Sequence, residues 1–181
     1  MDIIEKNRQE IGKIFIVLNP VAGFTNATLF RQRVKRICSK FQYGFEVYET
    51  KEDEEIGPVI DNALSIGYKI FIAAGGDGTV SELASHLIDR EAIMGIIPCG
   101  TGNALAKSLG IPLDIGAALR LITGDHNIRK LDALKVFGHY HILNVGVGIT
   151  STVVQKTTRP IKRRLGIAAY IIEAFKAFLG I

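Results

Sequence analysis

The chain has 181 residues, 48% hydrophobic and 22% charged, with 22 Lys+Arg against 18 Asp+Glu for a formal net charge of +4. That composition excludes wholesale disorder and a coiled coil, and the length allows one domain or one domain plus part of another, at roughly 100–200 residues each. A sequence pI of 9.1 resting on so small a charge gives a weak preference for anions and no nucleic-acid footprint, and two cysteines, Cys38 and Cys99, are too few for a disulfide framework.

At the amino terminus Asp2 and Glu5 interrupt the apolar run, which argues against a signal peptide. Four short β-rich runs follow: Lys13–Leu18, Phe45–Thr50, Tyr68–Ala74 and Ala92–Pro98. Each is bounded by Gly, Pro or charged residues, as buried strands are. Helical patterns lie between them. Asn26–Phe41 sets Leu29, Val34, Ile37 and Phe41 among five basic residues. Asp53–Ile66 has Ile56, Ile60, Ala63 and Leu64 at helical spacing, weakened by Gly57-Pro58 in its first turn. Thr79–Ile88 and Thr101–Leu109 follow the third and fourth strands. The alternation predicts an α/β fold with a parallel sheet and right-handed crossovers, whose ligands bind outside the carboxyl ends of the strands.

Beyond Ile111-Pro112 the pattern predicts a helix over Asp114–Thr123, with Asp114 as its cap. The grammar then changes. Lys130–Phe137 and His139–Thr150 read as a hairpin turning at Gly138. A basic stretch from Lys156 to Arg164 leads into an amphipathic helix with Ile167, Tyr170, Ile171, Ala174 and Phe175 on its apolar face. The most apolar segment, Gly166–Ile181, carries Glu173 and Lys176 and is too short and too charged to span a bilayer, so a cytoplasmic protein is expected.

Three strand ends carry glycine-rich loops: Asn19-Pro20-Val21-Ala22-Gly23, then Gly75-Gly76-Asp77-Gly78-Thr79 with Val80, Ser81 and Glu82 opening a helix, then Pro98-Cys99-Gly100-Thr101-Gly102-Asn103. The topology places all three on one edge of the sheet, where the second strand also ends, at Glu49-Thr50. Such loops suit phosphate. Glycine lets the backbone approach a bulky anion, free N–H groups at a helix start form an anion nest, and the helix dipole adds to it. Thr79, Thr101 and Asn103 would add neutral donors. A carboxylate inside a phosphate nest is repelled unless a metal intervenes, so Asp77 points to Mg²⁺ linkage or to proton handling near a transferred group; its structural alternative is a cap on the following helix. The G-x-x-x-x-G-K-[ST] and G-x-G-x-x-G patterns are absent, Leu105 standing at the third position after Gly100-x-Gly102, and no Cys/His spacing suggests zinc.

The run Gly75-Gly76-Asp77-Gly78-Thr79 followed by Glu82 resembles the signature of the diacylglycerol kinase catalytic domain family, which includes bacterial lipid kinases and sphingosine kinases and is distantly related to NAD kinases. Asn19-Pro20-x-x-Gly23, Thr50, Pro98-x-Gly100-Thr101-x-Asn103 and Leu109-Gly110-Ile111-Pro112 match its pattern in the same order, and Asn144-Val145-Gly146-Val147-Gly148 resembles the start of its second domain. The resemblance implies an α/β nucleotide-binding domain over 1–126 and the incomplete beginning of a β-sandwich second domain over 127–181. It implies ATP- and Mg²⁺-dependent phosphorylation of a lipid hydroxyl, as in phospholipid biosynthesis. Asn19, Pro20, Val21, Ala22, Gly23, Thr50, Gly75 to Ser81, and Thr101 would surround the nucleotide, Gly102 and Asn103 would shape the cleft, and Asp77 would serve catalysis. In many bacterial members an acidic residue follows the loop Asn; Ala104 stands there, and Asn103-Ala104-Leu105-Ala106 is closer to sphingosine kinase-like members, which leaves the lipid open. The family's second lobe supplies an acidic proton acceptor and part of the magnesium site, so a fragment ending here is expected to turn over poorly. An NAD kinase-like enzyme and a non-catalytic nucleotide-binding module are the alternatives.

Other residues carry plainer expectations. Cys99 reads as a small filler, Cys38 as inert on a helix, His86 as a surface residue, His139 and His141 as one solvent face of a hairpin, and Lys107 as a solvated helix lysine. The stretch Lys156, Arg159, Lys162, Arg163 and Arg164 could attract anionic lipid headgroups at about 1 kcal/mol per basic residue. The hairpin and the closing apolar helix could drive homodimerisation.

Overall fold

In a computed structural model the chain divides into two compact units, Met1–Ile142 and Leu143–Ile181. The structure describes residues 12–24, 26–52, 54–136 and 139–142, all in the first unit. The expectations at Asp2 and Glu5, at Asp53, at the Gly138 turn, at Asn144–Gly148, along the basic stretch and in the closing helix lie outside the described residues.

The four predicted strands are present as β1 (Lys13–Leu18), β2 (Gly44–Glu49), β3 (Ile70–Gly75) and β4 (Ile93–Pro98). They form one parallel sheet in the order β2-β1-β3-β4. Near-continuous apolar sequence is what a strand covered on both faces requires. In β1 and β3 Ile14, Ile16, Leu18, Ile70, Ile72 and Ala74 join a core with Phe30, Val34 and Ile37 of α1 (Ala27–Lys40) and with Ala118 and Leu119 of α5 (Ile115–Thr123). The intervening residues Phe15, Val17, Phe71 and Ala73 are equally buried, and strand alternation puts them on the opposite face. There α3 (Asp77–Leu87) packs on β3 and β4, and α2 (Gly57–Ser65) brings Gly57 against the His86 ring of α3. Cys38 is buried in the first core, and burial pushes its thiol up to about 11.

Local chemistry sets the helix ends. The Asn26 side chain accepts from Leu29 N–H at 3.0 Å, and Asp114 accepts from Ala117 N–H at 2.8 Å, each an N-cap of the expected kind. Pro58 occupies the first turn of α2, so that helix begins at Gly57 instead of Asp53; proline is tolerated where its missing N–H is not needed. The helix after the fourth strand is shorter than its sequence pattern: α4 runs only Ala104–Ser108, because Asn103 sits in the left-handed region (φ 50°, ψ 45°) and holds Thr101–Asn103 as a loop. Beyond α5, β5 (Leu134–Val136) and β6 (His139–His141) pair antiparallel, as the predicted hairpin requires. Among the described residues no helix is long and apolar enough to cross a membrane.

Candidate functional site

The sheet order places the site. From β1 the chain runs through α1 toward β2; from β3 it runs through α3 toward β4 on the other face. β1 and β3 are neighbours whose continuations diverge, and the crevice beyond their carboxyl ends is where such sheets take ligands. The register levels the strand ends: Leu18 pairs with Glu49 and with Ala74, and Gly75 pairs with Pro98. One more ladder bond carries each pairing into the loops, from Thr50 N–H to Leu18 O, Asn19 N–H to Ala74 O and Cys99 N–H to Gly75 O, all at 2.9 Å. All three glycine-rich loops and Thr50 therefore leave the sheet at one level.

The loops are also tied to one another. Asn19 accepts from Val21 N–H through Oδ1 at 3.1 Å, closing its own turn, and donates through Nδ2 to Thr79 Oγ1 at 3.2 Å. That bond spans the switch point. Gly23 (φ 57°) packs on the Cys99 carbonyl, where a Cβ would collide. A Cβ on Gly100 would stand 2.5 Å from the Gly76 Cα, so the second and third loops touch backbone to backbone.

Asp77 lies in the first turn of α3, two residues ahead of the predicted helix start. It does not cap its own helix. Its Oδ1 accepts the Ala104 N–H at 2.7 Å and so caps α4, while a Cβ on Gly102 would lie 2.5 Å from Oδ2. The cap is needed because Asn103 is occupied: Oδ1 accepts Gly100 N–H at 3.0 Å and Nδ2 donates to Gly100 O at 2.7 Å. Asn103, nine-tenths buried, thus shapes the loop instead of offering a donor to a ligand, and Thr79 is buried with its hydroxyl against Asn19. Thr101 and Gly78 are exposed. At α3 the first helical bond is Val80 N–H to Gly76 O, and Gly76 has no side chain to cap the N–H groups of Asp77, Gly78 and Thr79. This helix start is open to an anion.

The diacylglycerol kinase catalytic domain model matches residues 13–136. The chain belongs to that family. A Pseudomonas aeruginosa protein named "Probable lipid kinase YegS-like" is 37% identical over 131 residues, covering 71% of this chain and 43% of that protein. A Staphylococcus haemolyticus protein named diacylglycerol kinase is 31% identical over 166 residues, covering 89% of this chain and 49% of that protein. The crystal structure of a diacylglycerol kinase from Bacillus anthracis aligns with a TM-score of 0.62 at 28% identity, over 71% of this chain and 47% of that one. The chain spans less than half the length of these relatives.

Within this diacylglycerol kinase-type domain the remaining expectations sort by position. Cys99 is buried in the core beneath the third loop, as a filler would be. Lys107 is exposed on α4, and His86 is exposed on α3. His141 departs from the expected solvent face: with Tyr140 it lines a cavity of about 400 Å³ against Gly78, Ser81, Glu82 and Ser85 of α3. A hairpin read alone looks half-solvated; its packing on α3 is a tertiary fact. Among the described residues no group of three or more His, Cys, Asp or Glu could cage a metal. One carboxylate at the loops suits Mg²⁺, which is held chiefly by nucleotide phosphates and water.

Proposed function

We propose that this domain binds ATP·Mg²⁺ for transfer of the γ-phosphate to a lipid hydroxyl, diacylglycerol or a related lipid, as an ATP-dependent lipid kinase. The observation that carries the reading is the convergence of three cross-linked loops on the open start of α3. The N–H groups of Asp77, Gly78 and Thr79 would take the phosphates, with the helix dipole behind them. The Asn19–Gly23 loop and Thr50 would flank the nucleotide on the β1–β2 side, and Thr101 would donate from the β4 side. Val80 and Ser81 would continue the nest into α3.

Asp77, fixed by Ala104, would face the metal or the transferring group. Magnesium bound there would neutralise charge developing on the phosphoryl oxygens. Phosphoryl transfer is mostly positioning and electrostatics, which a rigid nest supplies. The lipid hydroxyl would attack in line and lose its proton to a carboxylate of a second domain. In domain terms, 1–126 would carry the nucleotide and 127–181 would begin that second domain, so the 181 residues alone would turn over lipid poorly. Contact with an anionic membrane surface through the basic stretch belongs to the same proposal.

The test is thermal unfolding of the chain with ATP·Mg²⁺, ADP·Mg²⁺ and NAD. At 100-fold the dissociation constant a ligand stabilises by about 2.7 kcal/mol, on the order of 5–10 °C for a chain of this size. A rise with both adenine nucleotides and none with NAD is expected. A rise with NAD alone, or none with any ligand, would overturn the reading.

A further inference from the structure

The exposed surface of α1 is strongly cationic. The helix carries Arg31, Arg33, Lys35, Arg36 and Lys40 and no carboxylate. All five cations are exposed, while Phe30, Val34, Ile37 and Cys38 are buried in the core. The exposed residues are not spread evenly. Positions 29, 33, 36 and 40 recur at helical spacing and fall within an arc of about 60°. Leu29, Arg33, Arg36 and Lys40 therefore form one stripe about 16 Å long. Leu29 is the surprise in it: its apolar character groups it with Val34 and Ile37, yet it is 62% exposed. None of the four is among the residues placed around the nucleotide.

The two flanks of the helix differ. Arg31, on the other flank with Lys35, is answered within the protein: its guanidinium is bound to Glu49 at 2.8 Å and to the Val47 carbonyl at 3.1 Å. Among the described residues Arg33, Arg36 and Lys40 make no ion pair, and Lys40 lies over the Phe41 ring at 5.9 Å. Neighbouring like charges repel one another, and an extended anionic surface relieves all of them together. A bilayer with acidic headgroups and a nucleic acid both offer such a surface. Leu29 decides between them. A leucine in line with the cations can bury apolar area at a bilayer interface, and a phosphodiester backbone gives it nothing to enter. The apolar face of α1 itself stays in the core, so the contact is headgroup attraction with one apolar anchor, not insertion of the helix.

We propose that the stripe of Leu29, Arg33, Arg36 and Lys40 on α1 is a docking surface for an anionic bilayer, distinct from the basic stretch at Lys156–Arg164. It stands on α1 alone and does not depend on the nucleotide or kinase reading. The test is co-sedimentation of the intact chain, without nucleotide, with vesicles of phosphatidylglycerol and phosphatidylcholine in equal parts or of phosphatidylcholine alone. Each basic residue near an anionic surface is worth about fivefold in partitioning. R33Q/R36Q/K40Q should therefore weaken binding to the mixed vesicles on the order of 100-fold. K13Q/K35Q/K69Q removes as much charge from other exposed positions and should weaken binding less than about fivefold. Equal losses in the two variants would reduce the effect to net charge and overturn the surface, as would undiminished binding of R33Q/R36Q/K40Q. Thermal unfolding checks that each variant is folded, and a second variant reads the contact without removing any charge. The chain has no Trp, so L29W supplies its one indole, whose emission should shift to the blue with the mixed vesicles and stay unshifted with phosphatidylcholine alone. Unshifted emission from sedimented chain would mean that another face meets the lipid and would overturn the proposal. Binding of a DNA duplex that is lost in R33Q/R36Q/K40Q while vesicle binding persists would give the stripe to nucleic acid and overturn it as well.

Discussion

Two glycine loops at adjacent strand ends lead into helices and solve the same problem in opposite ways. After β3, Gly76 starts an 11-residue helix, and no side chain caps its first N–H groups. After β4, Asn103 starts a 5-residue helix but spends its own amide on Gly100, and the cap comes from Asp77 of the other loop. One helix start is left open and the other is closed by protein. The difference teaches that glycine content alone does not mark a ligand nest; what marks it is which N–H groups the protein leaves unanswered. It also gives Asp77 two duties, a structural one through Oδ1 and a proposed chemical one near the phosphates.

The largest effect should come from forcing the two loops apart. G100A would place a Cβ 2.5 Å from the Gly76 Cα, a backbone atom that no rotamer change can move. Overpacking of this kind costs about 1–3 kcal/mol, a fall in Tm on the order of 2–12 °C. G78A is the control, since nothing lies within 4 Å of its Cβ position; its Tm should hold or rise, alanine being the better helix former. Equal losses in both variants would show that the close approach of the loops is not what requires glycine.

Next in size is the separation of Asp77's two duties. D77A removes the cap on Ala104 and should cost about 1 kcal/mol. D77N keeps an acceptor oxygen for that N–H and should recover most of the loss. The stabilisation by ATP·Mg²⁺ should stay low in both, because the amide cannot face a cation as a carboxylate does. If D77N restored the nucleotide response as well, the charge would have no part in the site and Asp77 would be a cap only.

These contrasts also show what the sequence could reveal. The strands were legible because each is an apolar run bounded by breakers, and β1 falls on its predicted residues, Lys13–Leu18. The glycine loops, the caps Asn26 and Asp114 and the shared edge were legible because each rests on local chemistry or on the β-α alternation. Helix starts were less so: α3 begins at Asp77 and α4 at Ala104, displaced by two and three residues from Thr79 and Thr101. Glycine and a left-handed asparagine moved those boundaries. Asp77's partner was not legible at all, since 27 residues separate it from Ala104 and no periodicity spans that distance.

The smallest effect on stability should fall on Thr101, and it sharpens the comparison most finely. Thr101 belongs to the closed loop, yet it is exposed while Asn103 beside it is buried and fully engaged. T101V deletes the hydroxyl and keeps the shape. Surface substitutions away from a cap or a core contact change stability by less than about 0.5 kcal/mol, so Tm without ligand should stay within roughly 2 °C. A lost hydrogen bond to a charged ligand is worth about 1.5–3 kcal/mol, so the dissociation constant for ATP·Mg²⁺ should rise by about 10- to 100-fold. Isothermal titration of native chain and variant would read both quantities against the unfolding curve. A stable variant with unchanged nucleotide affinity would mean that the third loop only braces the second, and that the site is built from the β1 and β3 loops alone.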